Sequence, residues 1–367
     1  MMNMKRLFAG MAAALLAAVL FFPVKVSAIS AESAILLDAN TGRVLYEKNA
    51  DRRSLIASTT KIMTALVVCE QCNVLDRVRI PQHAVGIEGS SMYLLAGEVL
   101  TVQDLLYGLL LHSGNDAAVA LAIYCGGTVE GFAELMNDKA QRLGMINSHF
   151  VNPHGLDNPE HYSSARDMAI LAAHAMENPI FAQTVSTKTV RIGQRQMRNH
   201  NKLLWRIEGA DGVKTGYTRA AGRILVSSAV RNNRRLIAVT INAPQDWADH
   251  AYLIEQGFSR FDQRKVIGAG QVLGSRSVLF GEQTEALIIS SQDFSYALAD
   301  DERVKVILGG YETVFAPVYE GGDAGFAYVM LDDRVIGKIP LLYGQTVEQK
   351  AIDNRSFWKK RIGKGTA

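Results

Sequence analysis

The sequence predicts an α+β fold, an antiparallel sheet with a helical cluster, followed by a small all-β domain. Three observations carry this reading. Period-two segments occur near residue 33 and again after residue 211, so strands distant in sequence share one sheet. The chain between them carries helical patterns and helix caps. Beyond Gly268 it breaks into short alternating segments separated by Gly-Gly or Asp-Asp turns. With 367 residues, 48% of them hydrophobic, the chain can bury a sizeable core and has room for two domains, which excludes disordered, collagen-like and disulfide-scaffold classes.

Residues 1–28 read as an export signal: Lys5 and Arg6 open it, an uncharged apolar run follows, and Val26-Ser27-Ala28 resembles a small-residue cleavage site. The competing reading is an uncleaved anchor, since the 18 uncharged residues from Leu7 to Val24 sit at the lower limit for a spanning helix. Both readings place the rest of the chain outside the cytoplasm, at the outer face of the cytoplasmic membrane or in the cell wall or periplasm. Segments 33–38 and 43–47 alternate around Ala39-Asn40-Thr41-Gly42, as in a hairpin with one exposed face. Segment 59–70 is apolar around most of a helical wheel, which predicts a helix at a domain centre. Thr101-x-x-Asp104 caps a helix over 105–111, a second runs over 116–124, a third over 132–143 to Gly144, and Ser164-x-x-Asp167 starts a fourth ending near residue 177. Antiparallel strands then cover 213–218, 224–230 and 236–241, with a turn at Asn232-Asn233, and a last helix covers 248–261. The larger domain is therefore expected over 29–265, the β-rich domain over 268–354 and a basic tail over 355–367.

The charge is unevenly spread. The chain has 39 Lys plus Arg against 36 Asp plus Glu, a net +3, but residues 1–28 hold Lys5, Arg6 and Lys25 and no acid. The tail adds Arg355, Lys359, Lys360, Arg361 and Lys364 with no acid, which leaves residues 29–354 acidic. This distribution removes the case for a nucleic-acid partner. Phe357 and Trp358 beside the tail cations suggest a weak membrane-surface contact through 355–367. Three cysteines cannot form a disulfide framework, and Cys69-x-x-Cys72 has no second Cys pair or closely spaced His pair to complete a zinc site. No metal and no cofactor are expected.

Three short motifs carry chemistry. In Ser58-Thr59-Thr60-Lys61, at the start of the central helix, a serine and a lysine three residues on project from one face. Lys61 is the only charge between Arg53 and Glu70, and an ammonium in an apolar setting is driven toward the neutral form that a general base requires. Ser113-Gly114-Asn115 sits in a break between helices and offers a hydroxyl and an amide for proton relay and for clamping a peptide-like substrate. Lys214-Thr215-Gly216 lies on an edge strand, where a cation and a hydroxyl can hold a carboxylate and the glycine lets an extended ligand approach the backbone. Each motif alone reads as a helix cap, a turn or a solvated lysine. In this order they are specific.

The triplet resembles that of the low-molecular-mass penicillin-binding proteins that are serine-type D-alanyl-D-alanine carboxypeptidases. The resemblance extends through Leu37-Asp38-Ala39-Asn40-Thr41-Gly42, Asn152-Pro153-His154-Gly155-Leu156, Ala165-Arg166-Asp167-Met168 and Asn199-His200-Asn201. It implies a penicillin-binding/β-lactamase-like transpeptidase domain followed by a small β domain. It implies that Ser58 attacks the carbonyl between two terminal D-alanines of a peptidoglycan stem peptide, with Lys61 as base, Ser113 relaying a proton to the leaving amine and the N–H groups of Ser58 and Tyr217 facing the oxyanion. Asn115 would hold the substrate amide, Lys214 and Thr215 the terminal carboxylate, and a β-lactam would leave a slowly hydrolysed adduct.

Tyr217 stands where family members often have histidine, and no Glu-x-Leu-Asn-like segment supplies the deacylating carboxylate of class A β-lactamases. The alternatives are a β-lactamase-like hydrolase with the same acylating residues and a penicillin-binding wall protein without turnover. A Ser-His-Asp triad lacks its Gly-x-Ser-x-Gly elbow, and His154 and His200 read as loop-stabilising residues.

Overall fold

The computed structural model describes residues 29–351; the expected signal segment and basic tail lie outside the described residues. In chain order, β1 (Ser33–Asp38) and β2 (Val44–Lys48) precede a single 3-10 turn (Ala57–Thr60) that runs into helix α1 (Lys61–Gln71). A ribbon of β3 (Arg77–Arg79) and β4 (Val99–Thr101) leads to α2 (Val102–Leu111), α3 (Asn115–Gly126), α4 (Val129–Arg142), α5 (Ala165–Ala175) and α6 (Pro179–Ser186). A hairpin of β5 (Thr189–Ile192) and β6 (Arg195–Arg198) follows, then β7 (Ala210–Thr218), β8 (Gly222–Arg231), β9 (Arg234–Ile241) and α7 (Asp246–Arg260).

Five strands form an antiparallel sheet in the order β2-β1-β9-β8-β7, which joins the start of the chain to residues 210–241 and leaves β7, the bearer of Lys214, at an edge. The first hairpin differs from expectation: all six residues of β1 are buried. Its alternation is real, but both faces are covered. Ile35 and Leu37 join the core of the helical cluster, while Ala34 and Leu36 pack with Leu253 and Ile254 of α7.

Helix α1 is the centre of the helical cluster, with every residue from Lys61 to Val68 buried. Its apolar circumference needs neighbours on all sides, and α2, α3, α4, α5 and α6 supply them. The caps act as their residue types dictate. Thr101 and Asp104 form a reciprocal capping box, Ser164 accepts from the Asp167 N–H, and Thr128 accepts from Gly131, which starts α4 three residues before its first buried aromatic, Phe132. Helix α6 was not legible from periodicity; Asn178 caps it, accepting from the N–H groups of Ile180 and Phe181.

Beyond α7 the chain is all β: β10 (Phe261–Ile267), β11 (Val272–Leu279), β12 (Glu285–Ser290), β13 (Phe294–Ala299), β14 (Val304–Leu308), β15 (Thr313–Phe315), β16 (Asp323–Leu331) and β17 (Arg334–Tyr343). β10 pairs with β13, and the others form a six-stranded sheet around a separate apolar core. The strand over 261–267 therefore crosses the boundary expected at 265–268, because α7 passes into β10 with no linker.

One buried ion pair ties the sheet to α7. Asp38 accepts from Arg234 Nε at 2.6 Å and from the N–H and hydroxyl of Thr41 at 3.0 and 2.9 Å, while Arg234 also donates to the carbonyls of Gly257 and Phe261. Removing the carboxylate leaves a buried guanidinium without its counter-charge. Asp38→Ala should therefore destabilise the sheet domain by about 3 kcal/mol, read as a fall of several degrees in its thermal midpoint. An unchanged midpoint would show that the pair contributes nothing.

Candidate active site

Ser58 sits in the 3-10 turn that opens α1, and the turn is held under strain. Ala57, immediately before it, has φ of 45°, in the left-handed region, which costs a non-glycine residue about 1–3 kcal/mol. Packing on two sides holds it there. Gly155 presses so closely that a Cβ would lie 1.8 Å from the Ala57 carbonyl oxygen, and Gly216 of β7 would bring a Cβ to 3.2 Å from the Thr59 nitrogen. Thr60 Oγ1 donates to the Ala57 carbonyl at 2.8 Å and meets His161 Nε2 at the same distance. The half-buried Ser58 hydroxyl is thereby fixed at the mouth of a cleft.

Lys61 is wholly buried one turn below. Its Nζ lies 3.0 Å from Ser58 Oγ, 2.6 Å from Asn115 Oδ1 and 2.7 Å from the His154 carbonyl oxygen. The Asn115 amide is oriented by its other end, which donates to the Glu88 carbonyl, so Oδ1 faces the lysine. Burial, reinforced by repulsion from Lys214, pushes the Lys61 amine well below the ordinary lysine range. A neutral amine has two N–H donors and one lone pair. His154 O and Asn115 Oδ1 can only accept, so in the neutral form of Lys61 they take the donors and the lone pair faces the Ser58 hydroxyl.

A second serine and lysine stand opposite. Ser113, in the break between α2 and α3, has φ of 63°, and its Oγ lies 3.1 Å from Nζ of Lys214 on β7. Lys214 also donates to the Thr215 carbonyl at 2.8 Å. It is 2% exposed, and burial pushes its amine down to about 7. Neither lysine makes an ion pair among the described residues. The neighbouring carboxylate, Asp116, is occupied in holding the cleft wall: it accepts from the N–H groups of Met92 and Leu94, each at 3.0 Å, and from the Ser91 hydroxyl at 2.6 Å.

All eight residues singled out in the sequence thus lie together, although Asn115 is engaged differently from expectation. Its Oδ1 accepts from Lys61 and one of its two amide N–H donors is used on the Glu88 carbonyl, so it positions Lys61 and keeps a second N–H donor. Thr215, Gly216 and the exposed Tyr217 line a cleft of about 370 Å³ with Ser58 and Ser113. Sequence reasoning missed Ser90, Lys202, Arg223 and Trp247 on the same walls, and the His154 carbonyl below them. Arg223 and Asp246, from β8 and the start of α7, form a two-pronged ion pair at 2.8 and 2.9 Å at the cleft rim. No local motif joins residues 23 positions apart, so nothing in the sequence marked them. Of the histidines, His161 accepts from the Val151 N–H at 3.1 Å and is pushed down to about 4 by burial, as befits a neutral loop brace. His200, by contrast, lines the cleft.

The family model for D-alanyl-D-alanine carboxypeptidases, peptidase S11, matches residues 22–245, and the model for the penicillin-binding protein 5 C-terminal domain matches residues 261–349. The chain belongs to the peptidase S11 family. It is 32% identical to the D-alanyl-D-alanine carboxypeptidase DacF of Bacillus subtilis over 352 residues, covering 92% of this chain and 90% of that one. DacC of Escherichia coli is 33% identical over 346 residues, covering 89% and 86%. Among solved structures, penicillin-binding protein 5 from Haemophilus influenzae is 33% identical, with a TM-score of 0.76 over 89% of this chain and all of that one. The Streptomyces K15 DD-transpeptidase is 35% identical with a TM-score of 0.62, and it spans 64% of this chain, since it is the shorter molecule.

For this member of the carboxypeptidase family the Lys61–Lys214 repulsion has a measurable consequence. A base acts in its neutral form, so with Lys61 as the expected base the rate of acylation at Ser58 should rise with pH through the Lys61 pKa. Removing the Lys214 cation stabilises the Lys61 ammonium and raises that pKa. In Lys214→Gln the rising limb of the acylation rate, followed with a fluorescent β-lactam, should move to higher pH. A limb that stayed in place or moved lower would break the coupling.

Proposed function

We propose that this chain is a serine-type D-alanyl-D-alanine carboxypeptidase that removes the terminal D-alanine of peptidoglycan stem peptides outside the cytoplasm, through an acyl-enzyme on Ser58. The observation that carries the reading is the wholly buried Lys61 amine, without a counter-ion among the described residues, 3.0 Å from Ser58 Oγ. Family membership supports the reaction class, and the local geometry supports the assignment of roles.

In the acylation step the Ser58 proton passes to Lys61 as Oγ bonds to the substrate carbonyl carbon. The oxyanion faces the N–H groups of Ser58 and Tyr217, at the positive end of the dipole of α1. The C–N bond then breaks, and the leaving amine takes a proton delivered from Lys61 with Ser113 as relay. Lys214 and Thr215 hold the terminal carboxylate, and that negative charge favours the Lys214 ammonium which burial alone disfavours. Asn115 and the His154 carbonyl keep Lys61 aimed at Ser58 throughout. Water hydrolyses the resulting ester, and a β-lactam carbonyl follows the same first step but leaves an ester that hydrolyses slowly.

A β-lactamase-like role has no observation in its favour. The carboxylate that comes nearest by sequence, Glu160, is exposed, and its backbone carbonyl accepts from the His149 ring.

Incubation with a peptide ending in D-Ala-D-Ala should release D-alanine, and incubation with penicillin should leave a long-lived adduct that maps to Ser58. Both should vanish in Ser58→Ala, and Lys61→Ala should slow acylation by about 10²–10⁴-fold. Rapid penicillin turnover would point instead to a β-lactamase, and an adduct without D-alanine release to a binding protein.

A further inference from the structure

The cleft has a neighbour on the side of His200. This second groove, of about 650 Å³, shares His200 and Lys202 with the cleft. Its walls carry Arg198, Lys202 and Arg206 and no carboxylate. Elsewhere on this body arginines are matched: Arg195 with Glu98, Arg231 with Glu255, Arg235 with Asp211. Among the described residues Arg198, Lys202 and Arg206 form no such pair and donate no side-chain hydrogen bond to the protein, which is an unusual concentration of unused donors beside a reaction centre.

Trp205 steadies one of these cations, Arg198, together with the neighbouring Lys188. Arg198 Cζ sits 4.8 Å from the centre of its ring and Lys188 Nζ 5.8 Å, so the electron-rich face offsets part of the mutual repulsion. The indole is thereby engaged with Arg198 and Lys188. What remains on offer is the planar edge of a guanidinium, which matches a carboxylate in a two-pronged geometry. A cation-lined groove also focuses positive potential on the neighbouring cleft.

We propose that the Arg198–Arg206 groove is a subsite for a second carboxylate of the substrate, carried by an acidic residue of the peptide upstream of the D-alanine being released. This inference rests on the carboxypeptidase reading of Ser58. The shared His200 and Lys202 make the two cavities adjacent, so one extended peptide can reach across both, and the acidic group gains binding energy remote from the scissile bond.

The test uses the intact chain and a series of peptides ending in D-Ala-D-Ala, with a single Glu or Gln placed at each upstream position in turn. At one position kcat/KM should favour Glu by about fivefold, in line with a few partly exposed charge contacts, and the preference should shrink as salt is added. In Arg198→Gln/Arg206→Gln the preference should fall to near unity, while turnover of the Gln peptide and penicillin acylation of Ser58 stay at wild-type rates. Equal kcat/KM for Glu and Gln at every position, or a preference that survives the double substitution, would overturn the proposal. Inhibition by a soluble polyphosphate that the double substitution relieves, without any Glu preference, would assign the groove to a different anion and also overturn it. Failure to release D-alanine from any peptide would contradict the underlying carboxypeptidase reading, a result distinct from release without preference.

Discussion

A buried amine flanked by two oxygens that can only accept has one direction left for its lone pair. At Lys61 those oxygens are the His154 carbonyl and Asn115 Oδ1, and the remaining direction is Ser58. Much of the architecture serves this arrangement. Burial in the centre of the helical cluster pushes the amine toward its neutral form, and Lys214 pushes the same way. Holding the acceptors in place needs the start of α3 for Asn115 and the 152–156 loop for His154, while β7 supplies Lys214. Segments far apart in sequence must therefore meet within a few ångströms, and the joining of both ends of the domain in one sheet makes that possible.

The same meeting point holds strain. Ala57 and Ser113 both adopt left-handed backbone conformations, one just before the first serine and the other at the second. Gly155 and Gly216 let the surrounding backbone close on the Ser58 turn, so the cost of that conformation is borne by packing around α1. The electrostatics follow one rule as well. The carboxylates on the cleft walls are used elsewhere, Asp116 on the backbone of Met92 and Leu94 and Asp246 on Arg223, so neither lysine has a counter-ion among the described residues to hold its charge.

Much of this was legible in the sequence, because short-range signals carry it. The apolar circumference of residues 62–68 marks a central helix, Thr101 and Asp104 mark a cap, and Ser58 and Lys61 lie close enough in the chain for their contact to follow from helical geometry. Three motifs in fixed order then supplied what spacing alone could not. The rest depends on long-range pairing. β1 alternates like a half-exposed strand and is buried because α7, more than two hundred residues later, covers its second face. That Asn115 also bridges Lys61 and the Glu88 carbonyl follows only from the fold. A backbone carbonyl such as that of His154 carries no residue-type signal, and Arg223 with Asp246 reaches the cleft only through the register of β8 against the start of α7.

The basic balance of the whole chain proves to be a poor guide to the site, since the acidic body nevertheless concentrates cations at one cleft and its neighbouring groove. The decisive quantity is the protonation state of one of them. Lysine side chains labelled with ¹³C and ¹⁵N, followed by NMR across pH in the intact chain with Lys61→Arg for assignment, would read it directly. The account predicts that the Lys61 signal is already that of a neutral amine at a pH where the surface lysines remain charged. A Lys61 that titrated with the surface lysines, near about 10.4, would contradict it.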